Sequence, residues 1–158
     1  MGIIGTCEGY FSSPFYLFNN GSWNGLSSVG MSMIDNPNNR NSLSVSGTIN
    51  LTTYHKLNHG CAARTNSTFD FTNYSYLKFV IAENNLLWSN YTHLGISNNN
   101  NTRSLTASVN PSSGTCTVNI SSVSGWYYIY IVVGVSGSSS DISGNSSLKI
   151  SQIYVSNS

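Results

Sequence analysis

Charge is what this chain has least of: 6 Lys and Arg against 5 Asp and Glu in 158 residues, for a formal net charge of +1. The six basic residues are scattered, so no basic stripe exists to neutralise phosphates, and nucleic acid is not an expected partner. The same scatter excludes a polybasic membrane patch. Long apolar runs are also missing. None approaches the roughly 20 residues a membrane-spanning helix needs, so membrane insertion is not expected. The opening Met1 to Tyr10 lacks the basic start, apolar stretch and cleavage site of a secretory leader. An exported form is therefore expected to have shed its leader or to use another route.

Cysteine is scarce as well. Cys7, Cys61 and Cys116 allow at most one internal disulfide, which is not a disulfide framework, and reduced thiols are the simpler expectation. Helical periodicity is absent: nowhere do apolar residues recur at three- and four-residue spacing over a helix-length window. Acids are few. Glu8, Asp35, Asp70, Glu83 and Asp141 are the whole supply, whereas catalysis by paired carboxylates needs two held roughly 5 to 9 Å apart. Asp70 reads as a turn former at a strand-to-turn junction. Glu83 reads as part of a loop after a strand and Asp141 as part of a Gly- and Ser-rich loop, neither with an evident partner. Ser, His and Asp occur without a G-x-S-x-G elbow. An enzyme is not expected, and no cofactor is implied.

What the chain has instead is uncharged polarity. Its 22 Asn and 42 Ser or Thr produce roughly six N-x-[ST] triplets by chance. The eight triplets at Asn20, Asn50, Asn66, Asn73, Asn90, Asn100, Asn119 and Asn145 therefore do not identify a glycoprotein. Between the polar segments run short alternating stretches. From Gly125 to Val135, Tyr127, Ile129, Ile131, Val133 and Val135 fall on one face and Trp126, Tyr128, Tyr130 and Val132 on the other. Alternation also turns Leu43, Val45, Ile49 and Leu51 inward in one strand, Leu77, Phe79 and Ile81 in another, and Leu105, Ala107 and Val109 in a third. Cys116, Val118 and Ile120 continue the pattern. In the last strand Leu148, Ile150, Ile153 and Val155 share a face only across a bulge near Ser151 and Gln152. Turn-rich segments separate the strands at Asn19 to Gly25, Asn36 to Asn41, Asn98 to Asn101, Asn110 to Gly114 and Ser136 to Asn145.

Many short strands without crossover helices specify an all-β, two-sheet antiparallel sandwich of jelly-roll topology. No second apolar centre, linker or repeat appears, so residues 14–158 are expected to form one domain and residues 1–13 an arm or linker.

One cluster has the composition of a metal site: His55, His59 and Cys61, with His93 able to approach from elsewhere. Four residues along a strand span about 13 Å, too far for one ion unless Asn58 and Gly60 turn the chain, so these residues are weak candidates and no metal is expected. Aromatics are the stronger signal. Trp23, Trp88 and Trp126 lie in or beside loops, and flat rings with a polar handle suit binding surfaces. If the outer face of the Gly125 strand is open, Trp126, Tyr128 and Tyr130 form a ladder able to stack on sugar or on a neighbouring subunit. Trp126, Tyr128, Tyr130, Trp23 and Trp88 are accordingly the candidate ligand-binding or interface residues.

Two stretches, Asp70-Phe71-Thr72-Asn73-Tyr74-Ser75-Tyr76-Leu77-Lys78-Phe79 and Ile120-Ser121-Ser122-Val123-Ser124-Gly125-Trp126-Tyr127-Tyr128-Ile129, resemble a pattern in phage and prophage structural proteins of Gram-positive bacteria. Tyr16 to Gly21 and Leu148 to Val155 resemble its opening and closing strands. The resemblance covers most of residues 14 to 155 and departs at Leu51 to Arg64, which has no counterpart. It implies a jelly-roll domain similar to carbohydrate-binding modules, as in tail and fibre proteins. It also implies a virion or extracellular location, a homo-oligomer or other virion proteins as partners, and a host-surface glycan as a possible ligand. The function expected is virion-associated structure or host recognition. The alternatives are a carbohydrate-binding module of a secreted bacterial protein and an extracellular filament subunit whose arm, residues 1–13, docks on the next copy.

Overall fold

In the computed structural model, residues 14–24, 30–36, 40–55, 60–87, 91–98, 103–108, 114–134 and 144–158 are described. The proposed arm, residues 1–13, lies outside them. The strands in chain order are β1 (Phe15–Asn19), β2 (Ser22–Trp23), β3 (Met31–Asp35), β4 (Ser42–Ser46), β5 (Thr48–His55), β6 (Cys61–Thr65), β7 (Phe69–Asp70), β8 (Tyr76–Asn85), β9 (His93–Ser97), β10 (Arg103–Ser108), β11 (Thr115–Asn119), β12 (Trp126–Val133) and β13 (Gly144–Ser156). All pair antiparallel in two sheets, one of seven strands and one of six.

The strand order is that of a jelly roll. The first sheet contains the run β5-β13-β8-β11, the second β6-β12-β9-β10. Following the chain from β5 to β13, successive strands change sheets except at β6 to β7 and β9 to β10, which gives two interlocked Greek keys. β1 and β2 extend the first sheet, β4 adds to it beside β5, and β3 and β7 add to the second.

β13 organises the first sheet. One side pairs with β8 along most of its length, while the other takes β5 on residues 144–150 and β1 on residues 152–155. Its ladder with β8 loses register between Ile150 and Gln152, at the bulge the change of phase requires. As a result Leu148, Ile150, Ile153 and Val155 are all buried. β8 compensates at Ala82, so Lys149 again faces Glu83. Glu83 therefore lies within a strand, not in a loop, and its carboxylate pairs with Lys149 Nζ at 2.6 Å.

Residues 42–55 are a hairpin and not one strand. Gly47, at φ 74°, turns the chain between β4 and β5, setting Leu43 opposite Leu51 and Val45 opposite Ile49. The positive φ suits a residue without Cβ. Asn20 and Gly21, at φ 46° and 100°, likewise join β1 to β2, the two-residue Asn-Gly turn that matches strand twist. The segment Leu51 to Arg64, set apart as an insert without counterpart, instead supplies most of β5 and β6, two of the eight jelly-roll strands.

Between the sheets lies one core, to which β12 contributes Ile129, Ile131 and Val133, β8 Leu77 and Phe79, β9 Leu94 and Ile96, and β11 Cys116 and Val118. Phe79 is fully buried between its neighbours Cys116 of β11 and Ile153 of β13. Phe79→Ala is therefore expected to cost about 3–5 kcal/mol through lost burial and the cavity left behind. Urea unfolding of the two proteins measures it, and a loss below 1 kcal/mol would contradict this placement.

Candidate functional site

The outward row of β12 is not one continuous platform. Trp126 is 66% exposed, Tyr128 is half-buried and Tyr130 is only 7% exposed. Arg64, the cross-strand neighbour of Tyr130, lays its guanidinium over the Tyr128 ring at 4.0 Å from the centroid. Arg64 Nη1 is buried without a hydrogen-bond partner, and the guanidinium gains a cation–π contact from the Tyr128 face. The ladder thus opens to solvent at its first rung.

That rung borders a groove of about 300 Å³ at the margin where the two sheets meet. Phe15 and Leu17 of β1 line it from the first sheet; Phe69, Asp70 and Trp126 line it from the second, with Asn24, Thr68 and Tyr74 from adjoining loops. Leu17 and Phe69 are buried, whereas Phe15 is 47% exposed. The Phe15 and Tyr74 rings stack with centroids 6.5 Å apart. Aromatic walls, an apolar floor and a few polar groups make this a surface of the kind that binds small ligands.

Local hydrogen bonding fixes the Trp126 end. Asp70 Oδ1 accepts from Thr72 N at 3.0 Å and from the Thr72 hydroxyl at 2.5 Å. The same hydroxyl accepts from Gly125 N at 2.9 Å, and Phe71 N donates to Gly125 O at 3.0 Å. Gly125, at φ 103°, then feeds the chain into β12, where Trp126 lies directly opposite Asp70. Indole and carboxylate are cross-strand neighbours and share one face. The two bonds from Thr72, hydroxyl first, hold the Asp70 carboxyl below its ordinary value of 3.8. The turn role read from the sequence holds, and the same side chain also lines the groove.

Trp23 stands behind this groove. Its half-buried ring packs on Phe18 at 4.8 Å and stacks on Phe69 at 6.1 Å between centroids. With Tyr16, Asn19, Ser22 and Asn24 it borders a second depression of about 330 Å³, and Asn24 lines both. The structure brings Trp23 and Trp126 to one region and leaves Tyr128 and Tyr130 farther along the sheet. Trp88 and His59 lie outside the described residues, as does the side chain of His55. Cys61 points into the core opposite Val133, and burial pushes its thiol up to about 11. That holds it protonated, the reverse of what a thiolate ligand requires. His93 sits on the outward side, opposite Val132. Among the described residues no three His, Cys, Asp or Glu converge.

Phe15 and Tyr74 were not among the candidates read from the sequence. Each stands in an ordinary strand or turn, and only the meeting of β1 with the loop after β7 sets them together. Comparison with known protein families, with characterised proteins and with solved structures finds no match to this chain.

In an NMR titration of the folded chain the Asp70 carboxyl is expected to have a midpoint below 3.8, and Thr72→Val to move it upward. Because the folded value is the lower one, the turn's contribution to stability is present above 3.8 and is lost as pH falls through the folded midpoint. A midpoint at or above 3.8 in the native protein would contradict the Thr72 bonds.

Proposed function

We propose that this chain is a non-enzymatic recognition domain of the virion-associated kind, which binds a neutral saccharide on a host surface. The observation that carries the reading is the exposed Trp126 indole set directly across the ladder from the Asp70 carboxylate, within the groove walled by Phe15 and Tyr74. A pyranose ring offers an apolar C–H face and a rim of hydroxyls. The indole takes the first by stacking, and the carboxylate accepts hydrogen bonds from the second. Asp70 Oδ1 is engaged by Thr72, which leaves Oδ2 for the ligand.

Among the described residues of the lining, Asp70 alone is charged. It repels acidic sugars and so selects neutral ones. A volume of about 300 Å³ lies at the small end of ligand sites, enough for about one or two sugar rings. Affinity for so small an epitope is modest. Display in many copies, as in a tail or fibre, converts it into avid attachment. The virion setting rests on the resemblance of the four stretches quoted above. Those stretches adjoin in the fold: β1 pairs with β13, and β7 with β12.

A glycan array probed with wild type and Trp126→Ala tests the reading. Wild type is expected to bind neutral glycans in preference to sialylated or uronic ones. Trp126→Ala should lower affinity at least about thirtyfold, the scale of an aromatic hot spot. An array blank for wild type, or one unchanged by the substitution, removes the saccharide from the proposal.

A further inference from the structure

We propose that β4 is a homodimerisation edge, at which two copies join their seven-stranded sheets about a twofold axis through Ser44. This rests on the strand edges and not on the groove's ligand. Natural sheets blunt their free edges with charge, proline, bulges or brevity. The other edge strands among the described residues show such devices. β3 carries Asp35 and a register shift beside it, and the ladder of β10 loses register between residues 103 and 105. β2 and β7 are each two residues long, and β11 sits against β10, with Cys116 Sγ 3.8 Å from Ala107 O.

β4 shows none of them. Its five residues, Ser42-Leu43-Ser44-Val45-Ser46, carry no charge and no proline, and they pair with β5 in unbroken register. Among the described residues β4 pairs only with β5 and none of them hydrogen-bonds along its far edge, while β3 of the other sheet passes near it. The sequence is also its own complement. An antiparallel copy centred on Ser44 sets Ser42 opposite Ser46, Leu43 opposite Val45 and Ser44 opposite itself. A twofold axis normal to the sheet keeps each face on its own side, so every polar residue meets a polar one and every apolar residue an apolar one. Either hydrogen-bonding phase of β4 satisfies this geometry, because the axis passes through a residue pair in both.

Exposure points the same way. Val45 belongs to the inward row, opposite the fully buried Ile49, yet it is 38% exposed. Leu43 of a second copy would cover it, and Val45 in turn would cover the partner's Leu43. Strand addition of this kind draws its affinity from main-chain hydrogen bonds and its register from alternate side chains. Two joined copies would present two saccharide grooves on one particle.

Sedimentation velocity of the full chain over a concentration series is expected to show a monomer–dimer equilibrium. Val45→Lys places a charge in the apolar pair and should weaken dimerisation at least about tenfold; a thermal melting point near that of wild type would show that the fold survives. Independently, Ser44→Cys in a Cys7→Ser background should give a covalent dimer on mild oxidation. Directly opposed residues lie about 4.5–5.5 Å apart between Cα atoms, within disulfide reach. Ser121→Cys in the same background serves as the control and should stay uncrosslinked. The proposal is overturned by a wild type that remains monomeric throughout the series, by a dimer that Val45→Lys leaves intact, or by failure of Ser44→Cys to crosslink. Should Val45→Lys not fold, the crosslink decides.

Discussion

Thirteen residues in one strand impose the condition that the rest of the sheet must meet. From Gly144 to Ser156, β13 has to pair its backbone on both sides and keep its apolar side chains on the core face. Strict alternation cannot do both, because Ile150 and Ile153 are three residues apart. The bulge at Ser151 resolves this with one residue that drops out of the ladder, at the cost of a local kink. The neighbours follow it. β8 shifts at Ala82, and β1 shifts at Leu17, where both Leu17 and Phe18 become buried. Asn20 N donates to Ser151 O at 2.9 Å, so the end of β1 is fastened at the bulge itself.

The groove follows from the same strand. β1 occupies the side of β13 beyond β5, which carries Phe15 to the sheet margin. At the far end of β13, Ser75 N donates to Ser156 O at 3.1 Å and Ile120 N to Ser75 O at 2.8 Å, so the turn bearing Tyr74 is anchored there. Two walls thus hang from the first sheet. The third, Trp126, hangs from the second, held by the Asp70, Thr72 and Gly125 bonds. A ligand seated there would touch both sheets, and burial of Phe15 and Trp126 on binding would remove apolar surface that the free domain leaves in water.

Much of this was legible because strands obey a period of two. The inward rows of β8, β11 and β12 and the bulge of β13 all come from which positions are apolar, and the core confirms them. The same period explains the error at residues 42–55. A hairpin that turns at Gly47 keeps Leu43, Val45, Ile49 and Leu51 on one face, as one extended strand would, so alternation cannot tell the two apart. The outward row of β12 was legible as aromatic but not as open or closed. Whether a ring meets water depends on its neighbour across the ladder, and Arg64 over Tyr128 is a matter of pairing between β6 and β12.

By itself, then, the sequence determined the class of fold and the inward faces. These are properties of local alternation and composition, which need no knowledge of what lies opposite. Only the tertiary structure decided which aromatics share a surface. Phe15 and Trp126 are separated by more than a hundred residues, and their placement in one groove depends on jelly-roll strand order and on the register of β7 with β12. Strand order is set by the burial of the whole core, a sum over contacts that no short window of sequence contains.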